Sequence, residues 1–356
     1  MSDIDIRVTG RAGRITFTRP QALNAMSYDM CMAIDAAMRL WRDDDDVALV
    51  VIDAEGDKAF CAGGDIAELY DTGTRGDYGY GRRFWRDEYR LNAFIAEYPK
   101  PVVSLMQGFT MGGGVGIGCH GSHRVVDDSS RIAMPECGIG LVPDVGGSLL
   151  LARAPGHLGE YLGMTAGRMA AGDAILAGFA DYLIPRDRWA DLIEMLEASG
   201  DASHVQSHAE TPPEGTLRPL LNEIDRHFAA PSLEALRLSL QGDDSDFAAD
   251  TLKALMRGAP LSQACTLEIL SRLRAGHTDI FREGFYGGRL AEIAILGDGD
   301  ADLDLLVADE NGNTICLDRS YSDRLYCSFT PAWTGNFTII VKNMGRIRNS
   351  YYILTN

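Results

Sequence analysis

The stretch Met134-Pro135-Glu136-Cys137-Gly138-Ile139-Gly140-Leu141-Val142-Pro143-Asp144-Val145-Gly146-Gly147 places two carboxylates eight residues apart in an apolar run rich in glycine and proline. An ionised carboxylate in such surroundings is costly unless it is paired or used. Burial raises its pKa into the range of a general acid or base. Glu136 reads as such a group. Asp144 admits two readings: the same chemistry, or the cap of a following helix with Gly146 and Gly147 in its first turn. Two further segments are glycine-rich, Ala59-Phe60-Cys61-Ala62-Gly63-Gly64-Asp65-Ile66 and Gly108-Phe109-Thr110-Met111-Gly112-Gly113-Gly114-Val115-Gly116. Such turns bring backbone N–H groups close to a ligand oxygen. Two of them facing one point would supply two donors to a developing oxyanion. Tight backbone packing is the alternative reading of each. Neither fits the Gly-x-x-x-x-Gly-Lys phosphate pattern.

Each glycine-rich segment must be held by a strand before it and a helix after it. Ile6 to Thr9 and Arg14 to Phe17 alternate around Gly10 and Gly13, which predicts a hairpin. Tyr28 to Trp41 has helical spacing of apolar residues. Val47 to Ile52 and Pro101 to Leu105 read as strands buried on both faces, and Arg86 to Glu97 as a helix between them. Arg124 to Val126 and Arg131 to Ala133 form a third extended region. Strands alternating with helices imply an α/β core. From about Leu149 to Arg274 the pattern is helical, with amphipathic stretches at 217–228, 232–240, 246–256 and 261–274.

The chain has 356 residues, with Lys+Arg 33 against Asp+Glu 51, a formal charge of −18. That argues against a nucleic-acid or anionic-membrane binder, which needs clustered positive charge. An anion held by backbone N–H groups remains compatible with it. No secretory signal and no bilayer-spanning apolar run is visible, and seven scattered cysteines suit a reducing, cytoplasmic setting. His120 has no carboxylate or serine partner at an evident spacing and reads as structural. Cys61 and Cys137 lack a histidine partner for nucleophilic catalysis. No His/Cys cluster has zinc-ligand spacing, so no metal is expected. Met26, Met30, Met32 and Met38 read as packing residues, and Asp43 to Asp46 as a solvated turn.

The three glycine-rich and acidic segments, in this order and at these separations, resemble the crotonase (enoyl-CoA hydratase/isomerase) superfamily over roughly residues 5–275. Met-Gly-Gly-Gly-Val-Gly at 111–116, Met-Pro-Glu at 134–136, Pro-Asp-Val-Gly-Gly at 143–147 and Phe84-Trp85-Arg86-Asp87-Glu88-Tyr89 are most similar to its 3-hydroxyisobutyryl-CoA hydrolase branch. The resemblance implies a crotonase-like α/β spiral of ββα units with a helical C-terminal region. It implies an oxyanion hole made by the N–H groups of Gly64 and Gly113. Glu136 would be the principal catalytic carboxylate, attacking the thioester or activating water. Asp144 would hold the substrate's 3-hydroxyl or assist proton transfer, and Glu88 would line the acyl pocket. Ala22, Leu23, Ala25, Ala62, Asp65 and Ile66 would flank the CoA nucleotide and pantetheine. Hydratases of the superfamily carry a second catalytic Glu where this chain has Gly116, and Gly where it has Asp144, so two-Glu hydration is disfavoured. The implied activity is hydrolysis of a short branched 3-hydroxyacyl-CoA, as in valine catabolism, with CoA part of the substrate, no separate cofactor, and a homo-oligomer as a possible assembly. An isomerase on another acyl-CoA and a weakly catalytic binding protein are the competing readings.

Residues 281–356 hold ten aromatics against nineteen in the first 280, with β-type alternation and turn signals, so a boundary is expected near 281. Strands are expected at 293–296, 303–307, 326–329 and 337–341, forming a small all-β sandwich. The runs 297–305 and 329–335 resemble a pre-peptidase C-terminal-like β-domain, which usually accompanies secreted proteins. Cys316 and Cys327 would then form a hairpin disulfide; in a cytosolic chain they are two reduced thiols, the reading favoured here. Asp298, Asp300, Asp302 and Asp304 would share one strand face, either as a Ca²⁺ site or as a solvated acidic edge, the latter being expected. The superfamily's further C-terminal helices are shortened or absent here.

Overall fold

The computed structural model describes residues 3–273, 278–297, 303–320, 322, 324–343 and 351–355. The chain divides into two compact units, Met1–Leu267 and Glu268–Asn356.

The first unit is built on two sheets. Strands β1 (Ile4–Thr9), β2 (Ala12–Phe17), β3 (Leu49–Ala54), β5 (Val102–Met106), β7 (His123–Val126) and β9 (Tyr182–Leu183) lie side by side in that order. All neighbours are parallel except the β1–β2 hairpin. Strands β4 (Ala59–Cys61), β6 (Phe109–Met111) and β8 (Arg131–Ala133) form a smaller parallel sheet. The chain therefore alternates: β3, β5 and β7 enter the large sheet, and β4, β6 and β8, each following directly, enter the small one. The extended region expected at 124–133 is for this reason two strands in different sheets. Helices α1 (Tyr28–Arg42), α2 (Ile66–Thr74), α3 (Tyr78–Ala96) and α4 (Gly113–Gly118) connect successive pairs.

The large sheet is buried because helix Trp189–Ser199 covers it. Leu49, Val51, Val103, Leu105 and Val125 pack with Ile184, Trp189, Leu192 and Leu196. Strands β3 and β5 are buried along their length, which is why they read as unbroken apolar runs. Helix α3 starts eight residues before the stretch expected from periodicity, with Asp77 accepting a hydrogen bond from the Tyr80 N–H at its N-cap. The alternation Tyr78-Gly79-Tyr80-Gly81 hides the helical period there. After α5 (Gly147–Arg153) and α6 (Leu158–Thr165) the chain is mainly helical, ending in Leu221–Phe228, Leu233–Gln241, Asp246–Leu255 and Pro260–Leu273. Of the four methionines read as packing residues, Met26, Met30 and Met38 are buried, whereas Met32 is exposed.

The second unit takes in the end of the Pro260–Leu273 helix and is otherwise β-structure. Strands β10 (Thr278–Phe285), β11 (Ala291–Gly297), β12 (Leu303–Ala308), β13 (Thr314–Asp318), β14 (Arg324–Phe329), β15 (Gly335–Asn343) and β16 (Tyr351–Thr355) form two antiparallel sheets, ordered β10-β15-β12-β13 and β14-β11-β16. Ile293, Ile295, Leu303, Leu305, Val307, Leu325, Phe337 and Ile339 from both sheets share one core, so the unit is a sandwich. The expectation of reduced thiols is corrected: Cys316 and Cys327 are bonded. Cys316 lies on β13 and Cys327 on β14, so the bond joins the two sheets instead of closing a hairpin. The other five cysteines are free. Asp298, Asp300 and Asp302 lie outside the described residues, and Asp304 pairs with Arg319 at 3.5 Å. Among the described residues no His/Cys/Asp/Glu group could hold a metal ion, and no helix is long and apolar enough to cross a membrane.

Candidate active site

Because β4, β6 and β8 are parallel neighbours, their C-terminal ends open at one place. Ligand sites of α/β folds lie outside strand carboxyl ends for the same reason. Gly63 and Gly64 leave β4, Gly112 and Gly113 leave β6, and Glu136 follows β8 by three residues. Gly63 (φ +115°) and Gly112 (φ +51°) adopt backbone conformations that favour glycine. A Cβ on Gly113 would lie 3.1 Å from the Gly64 nitrogen, so the two turns touch. Neither the Gly64 nor the Gly113 N–H donates to a protein acceptor among the described residues.

Two carboxyl groups face these turns. A Cβ on Gly112 would lie 3.0 Å from Glu136 Oε1, and one on Gly113 would lie 2.6 Å from Glu88 Oε1. Glu136 is 5 % and Glu88 2 % exposed. Burial, with Asp144 nearby, pushes the Glu136 carboxyl up to about 8. Burial, then Asp144 and Glu136, pushes Glu88 up to about 8 as well. Oε2 of Glu136 and Oε1 of Glu88 have no hydrogen-bond partner.

Asp144 does not cap a helix. The N-cap of α5 is Gly146 and has no side-chain bond. The Asp144 carboxylate instead accepts a 2.6 Å hydrogen bond from the Tyr89 hydroxyl. Burial raises its pKa, and the Tyr89 bond pulls the other way. The loop that carries it is strained: Val145, β-branched, has φ +47°. His120 supports that loop by donating from Nε2 to the Val145 carbonyl at 2.7 Å. Its structural reading fits this placement, and burial lowers its pKa.

These groups line a cleft of about 100 Å³, with Ala62, Gly63, Gly64, Gly112, Gly113, Glu88, Glu136 and Asp144 in its wall. Ile66, Leu69, Phe84, Trp85, Ile139 and Leu141 make the wall apolar. A larger hollow of about 460 Å³ lies elsewhere, walled by Asp57, Gln107, Asp127, Arg186 and Asp187. Ala22, Leu23, Ala25 and Asp65 do not line the cleft. The Ala62 N–H donates to the Leu23 carbonyl at 3.1 Å, which sets that strip beside it. Asp65 caps α2 and accepts from Arg19 Nη1 at 2.9 Å.

Gly116 has no room for a side chain. A Cβ there would lie 2.6 Å from Asn92 Nδ2 and 2.9 Å from Val145 Cβ. Sequence reasoning gave no role to Tyr89 or Asn92. The available signal was the α3 stripe Phe84, Glu88, Leu91, Asn92 and Ile95, an apolar face interrupted by two polar residues.

The sequence profile of the enoyl-CoA hydratase/isomerase family matches residues 12–285, and the chain belongs to that family. Within it, the chain is 41% identical over 237 residues to the mitochondrial 3-hydroxyisobutyryl-CoA hydrolase of Xenopus tropicalis, covering 64% of this chain and 61% of that protein. The Gallus gallus mitochondrial 3-hydroxyisobutyryl-CoA hydrolase is 36% identical over 295 residues, covering 80% of this chain and 76% of the relative. The crystal structure of an enoyl-CoA hydratase from Rhodobacter sphaeroides 2.4.1 is 57% identical, covers 77% of this chain and 80% of its own, and superposes with a TM-score of 0.73.

Proposed function

We propose that this protein hydrolyses 3-hydroxyisobutyryl-CoA, or a closely similar short branched 3-hydroxyacyl-CoA, to the free acid and CoA, as a step of valine catabolism in the cytoplasm. The observation that carries this reading is the buried Glu136 carboxylate beside two free backbone donors, with no space at Gly116 for the hydratases' second catalytic glutamate. The thioester oxygen sits between the Gly64 and Gly113 N–H groups, which stabilise the negative charge that develops on it. Glu136 takes a proton from water as the water oxygen bonds to the carbonyl carbon. The C–S bond then breaks and the proton passes to the departing sulfur. Direct attack by Glu136 on the carbonyl carbon, followed by hydrolysis of the anhydride, is the variant of the same role. Asp144 assists proton transfer, and Glu88 lines the acyl end. Ala22, Leu23, Ala25, Ala62, Asp65 and Ile66 flank the CoA arm. No cofactor or metal takes part, and subunits pair as a homo-oligomer. The β-sandwich is a pre-peptidase C-terminal-like module.

Enoyl-CoA hydration or isomerisation is the second reading, favoured by the 57% identity to the Rhodobacter sphaeroides protein. Release of CoA thiol from 3-hydroxyisobutyryl-CoA, compared with consumption of crotonyl-CoA, separates the two. Wild type is expected to release thiol, and Glu136→Gln to lose that rate by at least about a hundredfold. Equal thiol release by both proteins would remove Glu136 from the mechanism.

A further inference from the structure

We propose that Asn92 is a positioning residue which, through a buried water molecule, aims Glu88 at a hydroxyl on the substrate's acyl chain. The inference rests on the acyl-CoA hydrolase reading of the site.

Asn92 is 3 % exposed, and neither its Nδ2 nor its Oδ1 has a partner. The contrast is Asn24, also buried, whose Oδ1 accepts from the Arg19 N–H while its Nδ2 donates to the Glu55 and Ala59 carbonyls. A buried asparagine that serves structure is bonded in that way. Asn92 lies one helical turn beyond Glu88 on α3, so the two side chains are neighbours. Both press on one strip of α4, where a Cβ on Gly113 would lie 2.6 Å from Glu88 Oε1 and one on Gly116 would lie 2.6 Å from Asn92 Nδ2. Three unbonded polar atoms, Glu88 Oε1 and both ends of the Asn92 amide, thus share one buried strip.

Buried polar atoms without protein partners are held by water, which typically makes about three hydrogen bonds. One molecule meets this set: it accepts from Nδ2 and donates to Oδ1 and to Glu88 Oε1. The arrangement fixes the inner oxygen of Glu88 and leaves Oε2 for the cleft that Glu88 lines. A carboxyl oxygen held against apolar walls recognises a hydroxyl and disfavours an acyl chain that lacks one.

The test compares 3-hydroxyisobutyryl-CoA with isobutyryl-CoA, by kcat/KM and by equilibrium dissociation constants, for wild type, Asn92→Leu and Asn92→Ala. The expected result is that either variant narrows the preference for the hydroxylated ester by about tenfold, from the loss of one oriented hydrogen bond. Binding of isobutyryl-CoA should stay within about twofold. An unchanged preference, or equal weakening toward both esters, overturns the proposal. Melting curves identify a variant that fails to fold, in which case the other carries the expectation. If wild type hydrolyses neither ester, the hydrolase reading fails, while the ratio of dissociation constants still decides the role of Asn92.

Discussion

The pH dependence of turnover is the sharpest consequence of the site. Burial and Asp144 together push the Glu136 carboxyl to about 8. If its ionised form accepts the proton of the attacking water, about one tenth of the free enzyme is active at pH 7, about half at pH 8 and about nine tenths at pH 9. kcat/KM on 3-hydroxyisobutyryl-CoA is therefore expected to rise about tenfold from pH 7 to pH 9 and then level off. Glu88, also pushed to about 8, titrates beside it, so the steps belong to the carboxyl set and the rise is broader than for one isolated group. Initial rates of thiol release from about pH 6 to about pH 10 at constant ionic strength measure it. The same groups set a stability trend of known sign. Both folded-state values lie above the ordinary value of 4.5, so the stability these carboxyls contribute is fully present below about pH 4.5 and is lost as pH rises through about 8. Glu136→Gln should accordingly melt above wild type at pH 8, and the gap should close near pH 5. A flat rate profile between about pH 6 and 9, or a melting gap independent of pH, would refute the buried-base argument.

Two further outcomes are expected. Tyr89→Phe removes the 2.6 Å hydrogen bond to Asp144. A bond to a charged group is worth about 1.5–3 kcal/mol, so kcat/KM should fall about ten- to a hundredfold, and the acid limb of the profile should move up as Asp144 loses the contact that lowers its pKa; an unaltered profile would show that Asp144 needs no anchor. Cys316→Ser removes a bond between residues 11 apart in sequence that joins two sheets. A closed loop of that size contributes about 3 kcal/mol, so the β-unit's melting transition should drop, and reductant should lower it in wild type by a similar amount; no change in either case would argue that the bond does not form.

Much of this protein is legible in its sequence because the signals are local. β3 and β5 are buried on both faces and so appear as apolar runs. The amphipathic helices after Leu149 show their period, and the sandwich strands β11, β12, β14 and β15 show alternation and turns. Glu136 stands out because a carboxylate in an apolar, proline- and glycine-rich stretch has few structural uses, and the paired glycines of 63–64 and 112–113 mark backbone that must come close to something. Family resemblance adds the roles, which the residue types alone leave open between chemistry and packing.

What only the tertiary structure decides is which of these signals meet. Gly64, Gly113 and Glu136 converge because β4, β6 and β8 are parallel neighbours in a small sheet, and strands of three residues carry too little pattern to announce that pairing. Asp144 could be a helix cap or a site carboxylate in sequence; the left-handed Val145 and Gly146 aim it at Tyr89, 55 residues away, and so choose between the two. Asn92 is unremarkable in sequence, and Gly116 shows there only that a glutamate is absent, yet α3 crossing α4 puts the amide where a second glutamate would need to stand. Cys316 and Cys327 looked reduced when read from cysteine count and compartment, but sheet pairing places them on facing strands of two sheets, with Cα atoms 5.9 Å apart. In each case the deciding quantity is a distance between residues remote in the chain. Local propensity sets each segment's shape, and only the packing of segments sets that distance.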